Sequence, residues 1–319
     1  MNPVLDSLPI VILYPHSRCN CRCQMCDIWK TGTRQEITAE QLERWLPDFE
    51  KLGVRWVVLS GGEPLMHSDL FALCALLRRR GIRITLLTSG LLLERFAQKV
   101  VTWVDDVIVS IDGPSELHDR IRGTPGGFAK ISHGVQAIRS LMPVSARTTV
   151  QRENHARLVE TAQAARDLKL RSISFLAADV TSDAFNRPDH WDTTRQSEIA
   201  LSAEQIPVLE LELNKLKEEF GSFVLESPEK LRRIADHFRA HLGECEPVAP
   251  VCNAPWLSAV VESDGTMRPC FFHQSIGRIG NGEFLAVLNS PQAAAFRSSL
   301  DIAANPVCRR CVCSLRSAG

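Results

Sequence analysis

Residues 16–29 follow an apolar run at residues 11–14 and read His16-Ser17-Arg18-Cys19-Asn20-Cys21-Arg22-Cys23-Gln24-Met25-Cys26-Asp27-Ile28-Trp29. Cys19, Cys23 and Cys26 have the spacing C-x3-C-x2-C. Thiolates spaced this way on one loop can bind three irons of a 4Fe-4S cubane and leave the fourth iron without a protein ligand. A structural zinc site is the alternative, with Cys21 as fourth ligand, although an i, i+2 neighbour is poorly placed for a tetrahedron.

A second motif, Ser60-Gly61-Gly62-Glu63-Pro64, follows the next predicted strand. Its glycines let the backbone approach a ligand closely. Glu63 and the free carbonyls beside it can receive an ammonium group. Alone, this motif is equally compatible with a turn that contains an incidental acid; together with the cysteine spacing one strand earlier it is far more specific.

Short apolar runs alternate with amphipathic helical runs between residues 8 and 178, and this rhythm predicts βα units and a parallel sheet. The predicted strands are residues 11–14, 56–59, 84–87, 107–111, 147–150 and 172–176. The predicted helices are residues 38–53, 69–80, 91–101, 128–141, 155–168, 202–220 and 228–242. The six units favour an α/β barrel or a doubly wound sheet, in which ligands bind at the carboxyl ends of the strands.

The composition excludes several classes of protein. The 319 residues include 37 Lys and Arg, 37 Asp and Glu, and 45% hydrophobic residues, so disorder and general attraction to nucleic acid or anionic membrane are excluded. No secretory signal or membrane-spanning stretch is present, and we expect a cytoplasmic chain. In that compartment clustered cysteines, as ten of the 11 are here, are better explained as metal ligands or catalytic thiols than as disulfides. The isolated Cys74 is predicted to be a buried core thiol.

With both motifs in this order, residues 8–178 resemble the radical S-adenosylmethionine superfamily. Residues 88–90 (Thr-Ser-Gly), 109–113 (Val-Ser-Ile-Asp-Gly) and 118–123 (His-Asp-Arg-Ile-Arg-Gly) support the resemblance. The resemblance implies a partial six-stranded (β/α) TIM-like barrel. It also implies a 4Fe-4S cluster on Cys19, Cys23 and Cys26 whose open iron chelates S-adenosylmethionine, and reductive cleavage of this cosubstrate to a 5′-deoxyadenosyl radical.

The same resemblance assigns residues to the cosubstrate. It places Gly61, Gly62 and Glu63 at the methionine amino group. Near the ribose or the carboxylate it places Ser89, Ser110 and Asp112. Arg147 or Gln151 on the fifth strand is a further candidate for the carboxylate, with a salt bridge inside the barrel as the equal alternative.

A second group of cysteines follows residue 244. Cys252 and Cys270 flank a predicted hairpin around Asp264–Gly265, and Cys308-x2-Cys311-x-Cys313 comes later. This pattern resembles the twitch or SPASM auxiliary-cluster domain, and deoxy-scyllo-inosamine dehydrogenase-like members in particular. The resemblance implies a second 4Fe-4S cluster on Cys252, Cys270, Cys308 and Cys311, with a closed zinc site as the alternative. The alternate ligands are Cys313 and Cys245.

These observations predict three regions: a radical barrel over residues 1–201, a helical connector over 202–244, and a small α+β cluster-binding domain over 245–319. The loop at 179–194 is too long for an ordinary connector, which suggests function. Arg187 and His190 on this loop, and His273 beyond Cys270, are candidates to assist deprotonation of a substrate. An ordinary polar loop residue is the alternative for each.

The first functional hypothesis is a radical oxidoreductase of a small polar substrate such as a sugar or cyclitol. Loss of hydrogen from a carbinol carbon and of the hydroxyl proton leaves a ketyl radical, and a nearby auxiliary cluster is a suitable acceptor for its electron. The second hypothesis is a maturase that modifies a ribosomally made peptide. The third is a non-catalytic iron–sulfur electron-transfer protein, which leaves the glycine motif unexplained. An external reductant such as flavodoxin or ferredoxin is implied.

Overall fold

Six parallel strands are hydrogen-bonded in chain order, each to the next, in a computed structural model that describes residues 2–187, 190–280 and 283–315. The strands are β1 (Ile10–Leu13), β2 (Trp56–Leu59), β3 (Arg83–Thr88), β4 (Asp106–Ser110), β5 (Val144–Val150) and β6 (Ile173–Ala177). Their bounds lie within three residues of the predicted runs. The strands are mostly apolar, as expected for a parallel sheet that is covered on both faces.

Helices connect these strands and cover the outer face of the sheet. In chain order they are α1 (Ala39–Lys51), α2 (Leu70–Arg79), α3 (Leu93–Trp103), α4 (Ser115–Arg122), α5 (Gly127–Ile138) and α6 (Leu158–Asp167). The predicted capping box at the start of α1 is present, because Thr38 accepts from the Gln41 backbone and the Gln41 side chain accepts from the Thr38 backbone. The short helix α4 was not predicted.

After β6 the described residues form seven further α-helices: α7 (Thr193–Ile199), α8 (Ile206–Phe220), α9 (Pro228–Leu242), α10 (Ala254–Leu257), α11 (Phe284–Leu288), α12 (Pro291–Ser299) and α13 (Pro306–Arg309). α8 packs against α6 and α9, and α9 also contacts β6. The predicted bounds of α9 are confirmed. No helix in the described ranges is long and apolar enough to cross a membrane.

The C-terminal region extends the barrel sheet. The predicted hairpin is present as β7 (Ser258–Val261) and β8 (Thr266–Arg268), and β9 (Gly277–Arg278) pairs with β8. β7 also pairs in parallel with β1, so the described strands form one nine-stranded sheet in the order β6-β5-β4-β3-β2-β1-β7-β8-β9. The α/β partial barrel with a small antiparallel C-terminal region is therefore confirmed. The three region boundaries stay a prediction.

A single large core cluster runs from the barrel into the C-terminal region. Phe284 on α11 packs edge-on against Phe49 of α1, with 4.9 Å between ring centroids. Cys74 on α2 is 0% exposed, as predicted, and burial raises the pKa of its thiol to about 12. This thiol is therefore a core side chain.

Candidate functional site

The cysteine loop of residues 16–29 begins at the carboxyl end of β1. The end of α4 holds it in place, because the backbone N–H groups of Arg22 and Gln24 donate to the carbonyls of Arg122 at 2.9 Å and Ile121 at 3.0 Å. The motif at residues 118–123, so far unexplained, thus lies against the predicted iron–sulfur loop.

The structure brings the thiols of this loop together. Cys23 is buried, and Cys19 and Cys26 are partly buried. The buried Cys21 thiol hydrogen-bonds with those of Cys19 and Cys23, and these bonds together with burial raise the pKa of Cys21. The bond from Cys21 and the charge of Arg122 lower the pKa of Cys23 to about 7, against its burial. Burial raises the pKa of Cys26 to about 12.

These thiols fit an iron–sulfur cluster by the chemistry of their donor set, since soft thiolates on one loop are its usual ligands. Among the described residues, no three donor side chains converge on the position of a single metal ion. Tyr14 lies between the two cysteine groups. The pKa of its phenol is raised by burial, by Glu262, and by Cys26 and Cys313 of the two groups.

The glycine motif packs directly against the cysteine loop. Gly61 has a φ of +93°, and a Cβ at Gly62 would lie 2.1 Å from the carbonyl oxygen of Arg18. The Glu63 N–H donates to the same carbonyl at 2.9 Å. The glycines are therefore required for close approach between two segments of the protein itself.

Glu63 is completely buried and accepts four hydrogen bonds. Its carboxylate accepts from the hydroxyl of Thr88 at 2.8 Å, from the backbone of Leu65 at 3.0 Å, and from the backbone and hydroxyl of Ser89 at 2.7 and 2.6 Å. Burial raises its pKa, and these four hydrogen bonds oppose the rise. The Ser89 hydroxyl also lies 3.0 Å from the Asn20 side chain. The structure therefore places Glu63 and Ser89 in contact with the cysteine loop.

Asp112 and Ser110 stand at the end of β4, away from Glu63. The Asp112 carboxylate is buried and accepts from Arg122 at 2.5 Å and from the Thr149 backbone at 2.8 Å. On β5, Arg147 donates to Ser174 at 3.3 Å. The buried side-chain amide of Gln151 has no hydrogen-bond partner among the described residues. The roles predicted for these residues toward the cosubstrate stay predictions.

Cysteines of the C-terminal region line one cavity, among them Cys252, Cys270, Cys308, Cys311 and Cys313. Their thiols interact electrostatically with one another, and burial raises the pKa of Cys313 to about 11. Cys245 also borders the cavity but is exposed, and its thiol lies 3.8 Å from the backbone carbonyl of Asp236. The structure thus groups the four predicted ligands with Cys313 and leaves Cys245 apart.

The three candidates for deprotonation lie in different places. Arg187 is buried, donates to Asp179 at 2.9 Å and to the Met25 carbonyl at 2.6 Å, and stacks 3.6 Å from the Trp191 ring centroid. The exposed His190 pairs with Asp183.

His273 lines the cavity, with its Nε2 atom 3.2 Å from the Cys308 sulfur. Of the three candidates, all of which lie in the described ranges, it is the one that reaches this space. Residues 188 and 189 of the predicted functional loop lie outside the described residues.

The cavity has a volume of about 790 Å³ and lies between the barrel strands and the C-terminal region. Ile12, Val58 and Leu87 form an apolar part of its wall, and Arg147 and Ser174 a polar part. Arg147 was predicted as a candidate for the cosubstrate carboxylate, and the structure places it in the cavity wall. Ser174 on β6 was missed, because its strand is otherwise apolar and one serine in it gives no signal of a site.

Comparisons with known proteins agree with this geometry. The family model described as "Radical SAM superfamily" matches residues 13–165, and the model of an iron–sulfur cluster-binding domain, SPASM, matches residues 252–312. The second match contains Cys252, Cys270, Cys308 and Cys311, and it excludes Cys245 and Cys313.

Similar curated proteins include an AdoMet-dependent heme synthase of Methanosarcina barkeri (strain Fusaro), 30% identical over 59% of this chain and 59% of the relative. The antilisterial bacteriocin subtilosin biosynthesis protein AlbA of Bacillus subtilis (strain 168) is 24% identical over 86% of this chain. The chain spans 59% and 58% of the lengths of these two relatives.

Solved structures share the fold at low sequence identity. Streptococcus suis SuiB bound to S-adenosylmethionine has a TM-score of 0.68 at 15% identity and covers 98% of this chain and 74% of its own. Native anSMEcpe with bound AdoMet has a TM-score of 0.68 at 17% identity, and the match covers 95% of this chain and 86% of its own. BtrN in complex with AdoMet and 2-DOIA has a TM-score of 0.50 at 15% identity, and the match covers 97% of this chain and 94% of its own.

Proposed function

This chain belongs to the radical S-adenosylmethionine superfamily and carries a C-terminal SPASM domain, and from that premise we propose that it oxidises an alcohol of a small polar substrate. The observation that carries the proposal is the shared cavity. Side chains from the barrel strands and cysteines of the C-terminal region line the same space of about 790 Å³. A substrate bound there contacts the barrel and lies beside the auxiliary thiols.

Cys19, Cys23 and Cys26 would hold the open cluster, and Cys252, Cys270, Cys308 and Cys311 the auxiliary cluster. When bound, the open cluster and S-adenosylmethionine supply hydrogen-atom abstraction, and the auxiliary cluster supplies a one-electron acceptor. Oxidation of an alcohol to a ketone removes one hydrogen atom, one electron and one proton. The 5′-deoxyadenosyl radical would take the hydrogen atom and the auxiliary cluster the electron, so the reaction needs both clusters. An external electron donor such as flavodoxin or ferredoxin would supply the initial electron.

The residues of the cavity wall support a hydroxylated substrate. Arg147 uses its Nε atom for Ser174, and within the described residues its other N–H groups have no hydrogen-bond partner, which leaves them for substrate oxygens. Ile12, Val58 and Leu87 add apolar surface to the same cavity, and hydrogen bonds are stronger in such surroundings of low dielectric. His273 remains the residue predicted to assist deprotonation of the substrate hydroxyl group.

The test uses the anaerobically reconstituted chain with reductant, S-adenosylmethionine and a panel of sugars and cyclitols deuterated at their carbinol carbons. We expect deuterium to enter 5′-deoxyadenosine and an equal amount of ketone to form. Cys23→Ala should abolish 5′-deoxyadenosine formation, whereas Cys74→Ala, a core thiol, should retain it. Deuterium transfer without a ketone in every case would refute the alcohol oxidation.

A peptide-modifying activity is the second candidate. The observation that favours it is the match to AlbA, which extends over 86% of this chain and so reaches into the C-terminal region. Stimulation of 5′-deoxyadenosine formation by a precursor peptide, with sugars and cyclitols at background, would select this candidate. The electron-transfer hypothesis predicts no reductant-dependent 5′-deoxyadenosine with any substrate.

A further inference from the structure

The end of α4 forms a cradle for the cysteine loop. Besides the two backbone hydrogen bonds to Arg22 and Gln24, Gly123 lies so close that a Cβ there would be 2.8 Å from the Arg22 carbonyl oxygen. Gly123 has a φ of +60°, which favours glycine. This contact fixes the backbone of α4 relative to the segment between Cys19 and Cys26.

The side chain of Arg122, at the end of this cradle, reaches a cysteine sulfur. Its Nη1 donates to the Cys23 Sγ at 3.5 Å, and its Nε donates to the Asp112 carboxylate at 2.5 Å. The Arg122 side chain is 13% exposed and that of Asp112 is 0% exposed. Asp112 is held in turn by the Thr149 backbone N–H at 2.8 Å. The guanidinium is therefore fixed on one side and directed at the sulfur on the other.

A fixed cation beside a thiolate ligand changes the energy of the cluster that the thiolate holds. Hydrogen bonds to the sulfurs and the net charge nearby are among the factors that set the potential of an iron–sulfur cluster. Reduction adds negative charge, which the buried guanidinium stabilises with little screening by solvent. Asp112 acts in the opposite sense, because its charge has the sign of the added electron.

We infer that Arg122 is a positioning residue that makes the radical cluster easier to reduce, by holding its charge and an N–H group against the sulfur of Cys23. This inference rests on Cys23 as a cluster ligand and on neither the substrate nor the net reaction. Asp112 supports Arg122 through the ion pair and limits the size of its effect.

The experiment measures the midpoint potential of the radical cluster in the reconstituted full chain by redox titration followed by electron paramagnetic resonance. The radical cluster is identified as the signal that changes when S-adenosylmethionine is added. Arg122→Gln, Asp112→Asn and the control Arg120→Gln are compared with the unmodified chain at equal iron content. Arg120 lies on the same helix, is 59% exposed and pairs with Glu153 at the surface.

We expect Arg122→Gln to shift the midpoint potential to more negative values, Asp112→Asn to shift it to more positive values, and Arg120→Gln to leave it unchanged. A purely structural role does not produce shifts of opposite sign. An unchanged potential in Arg122→Gln with its full iron content would overturn the inference.

If Arg122→Gln fails to retain iron, Arg122→Lys replaces it in the titration. An ammonium group lacks the fork that binds Asp112 and Cys23 together, so a negative shift is expected here too, and an unchanged potential overturns the inference. The titration needs no substrate, so it is independent of the alcohol oxidation. Full retention of iron in Cys23→Ala would instead refute the ligand assignment.

Discussion

Glu63 and Arg187 are both charged side chains with almost no solvent contact, and their partners separate their roles. Glu63 receives four hydrogen bonds from neighbouring backbone and hydroxyl groups, which hold a carboxylate at the carboxyl end of the strands. Arg187 pairs with Asp179 and with the Met25 carbonyl, so it tethers its loop to the cysteine loop. Sequence alone predicted the position of Glu63, but the tether depends on contacts between distant segments.

Replacement of Glu63 by Gln should weaken the binding of S-adenosylmethionine. The neutral amide keeps the shape but loses the charge that would receive an ammonium group, and it presents an NH₂ group to donors. A hydrogen bond to a charged group contributes about 1.5–3 kcal/mol, so we expect the Kd to rise about tenfold or more. Anaerobic calorimetry on the reconstituted protein measures it, with the exposed Glu43→Gln on α1 as control. Equal affinities at equal iron content would contradict the assignment of Glu63.

Cys252 and Cys245 make a matched pair for the auxiliary cluster. Both precede the hairpin, but the thiol of Cys252 faces Cys270 and Cys311 whereas Cys245 is exposed. We expect about eight irons in the unmodified chain, about four in Cys252→Ala and about eight in Cys245→Ala. Iron and sulfide assays on the purified proteins decide this. About four irons in the unmodified chain, unchanged in Cys252→Ala, would contradict an auxiliary cluster.

The elements predicted from sequence are those with strong local signals. The capping residue Thr38 predicts the start of α1, and the four consecutive apolar residues of β2 predict a strand. The helix α4 was missed because it is short and mostly polar, so that Leu117 and Ile121 are the two apolar residues among its eight. The parallel pairing of β1 with β7 was missed because it joins segments more than 240 residues apart, and no local pattern specifies that contact.

The contact between the glycine motif and the cysteine loop predicts that alanine substitutions at two glycines have different effects on iron content. In Gly62→Ala the new Cβ meets the Arg18 carbonyl, a backbone atom, at 2.1 Å, so the cysteine loop must move. In Gly32→Ala nothing lies within 4 Å of the new atom. We expect Gly62→Ala to retain about half the iron, because the auxiliary cluster persists, and Gly32→Ala to retain all of it. Full iron content and normal cluster spectra in Gly62→Ala would show that this approach is not required.

At the scale of the whole molecule, the barrel and the cluster-bearing region share one sheet and one cavity. β1 hydrogen-bonds with β2 on one side and β7 on the other, and Ile10 and Ile12 pack with Val260 in a small core cluster. Cysteines of the C-terminal region and side chains of the barrel strands line the same cavity. The barrel sheet therefore includes strands from beyond residue 244, and the predicted region boundaries at residues 201 and 244 stay predictions.

A chain that ends at residue 244 tests this dependence. Without β7, the edge of β1 exposes unpaired backbone groups, and Ile10 and Ile12 lose Val260, so we expect aggregation. Size-exclusion chromatography and iron analysis after anaerobic purification measure the outcome. Co-expression with residues 245–319 as a separate chain is the control, and it should recover soluble protein because the missing strand is supplied in trans. A monomeric fragment that binds about four irons without its complement would show that the barrel folds independently of the strand that completes its sheet.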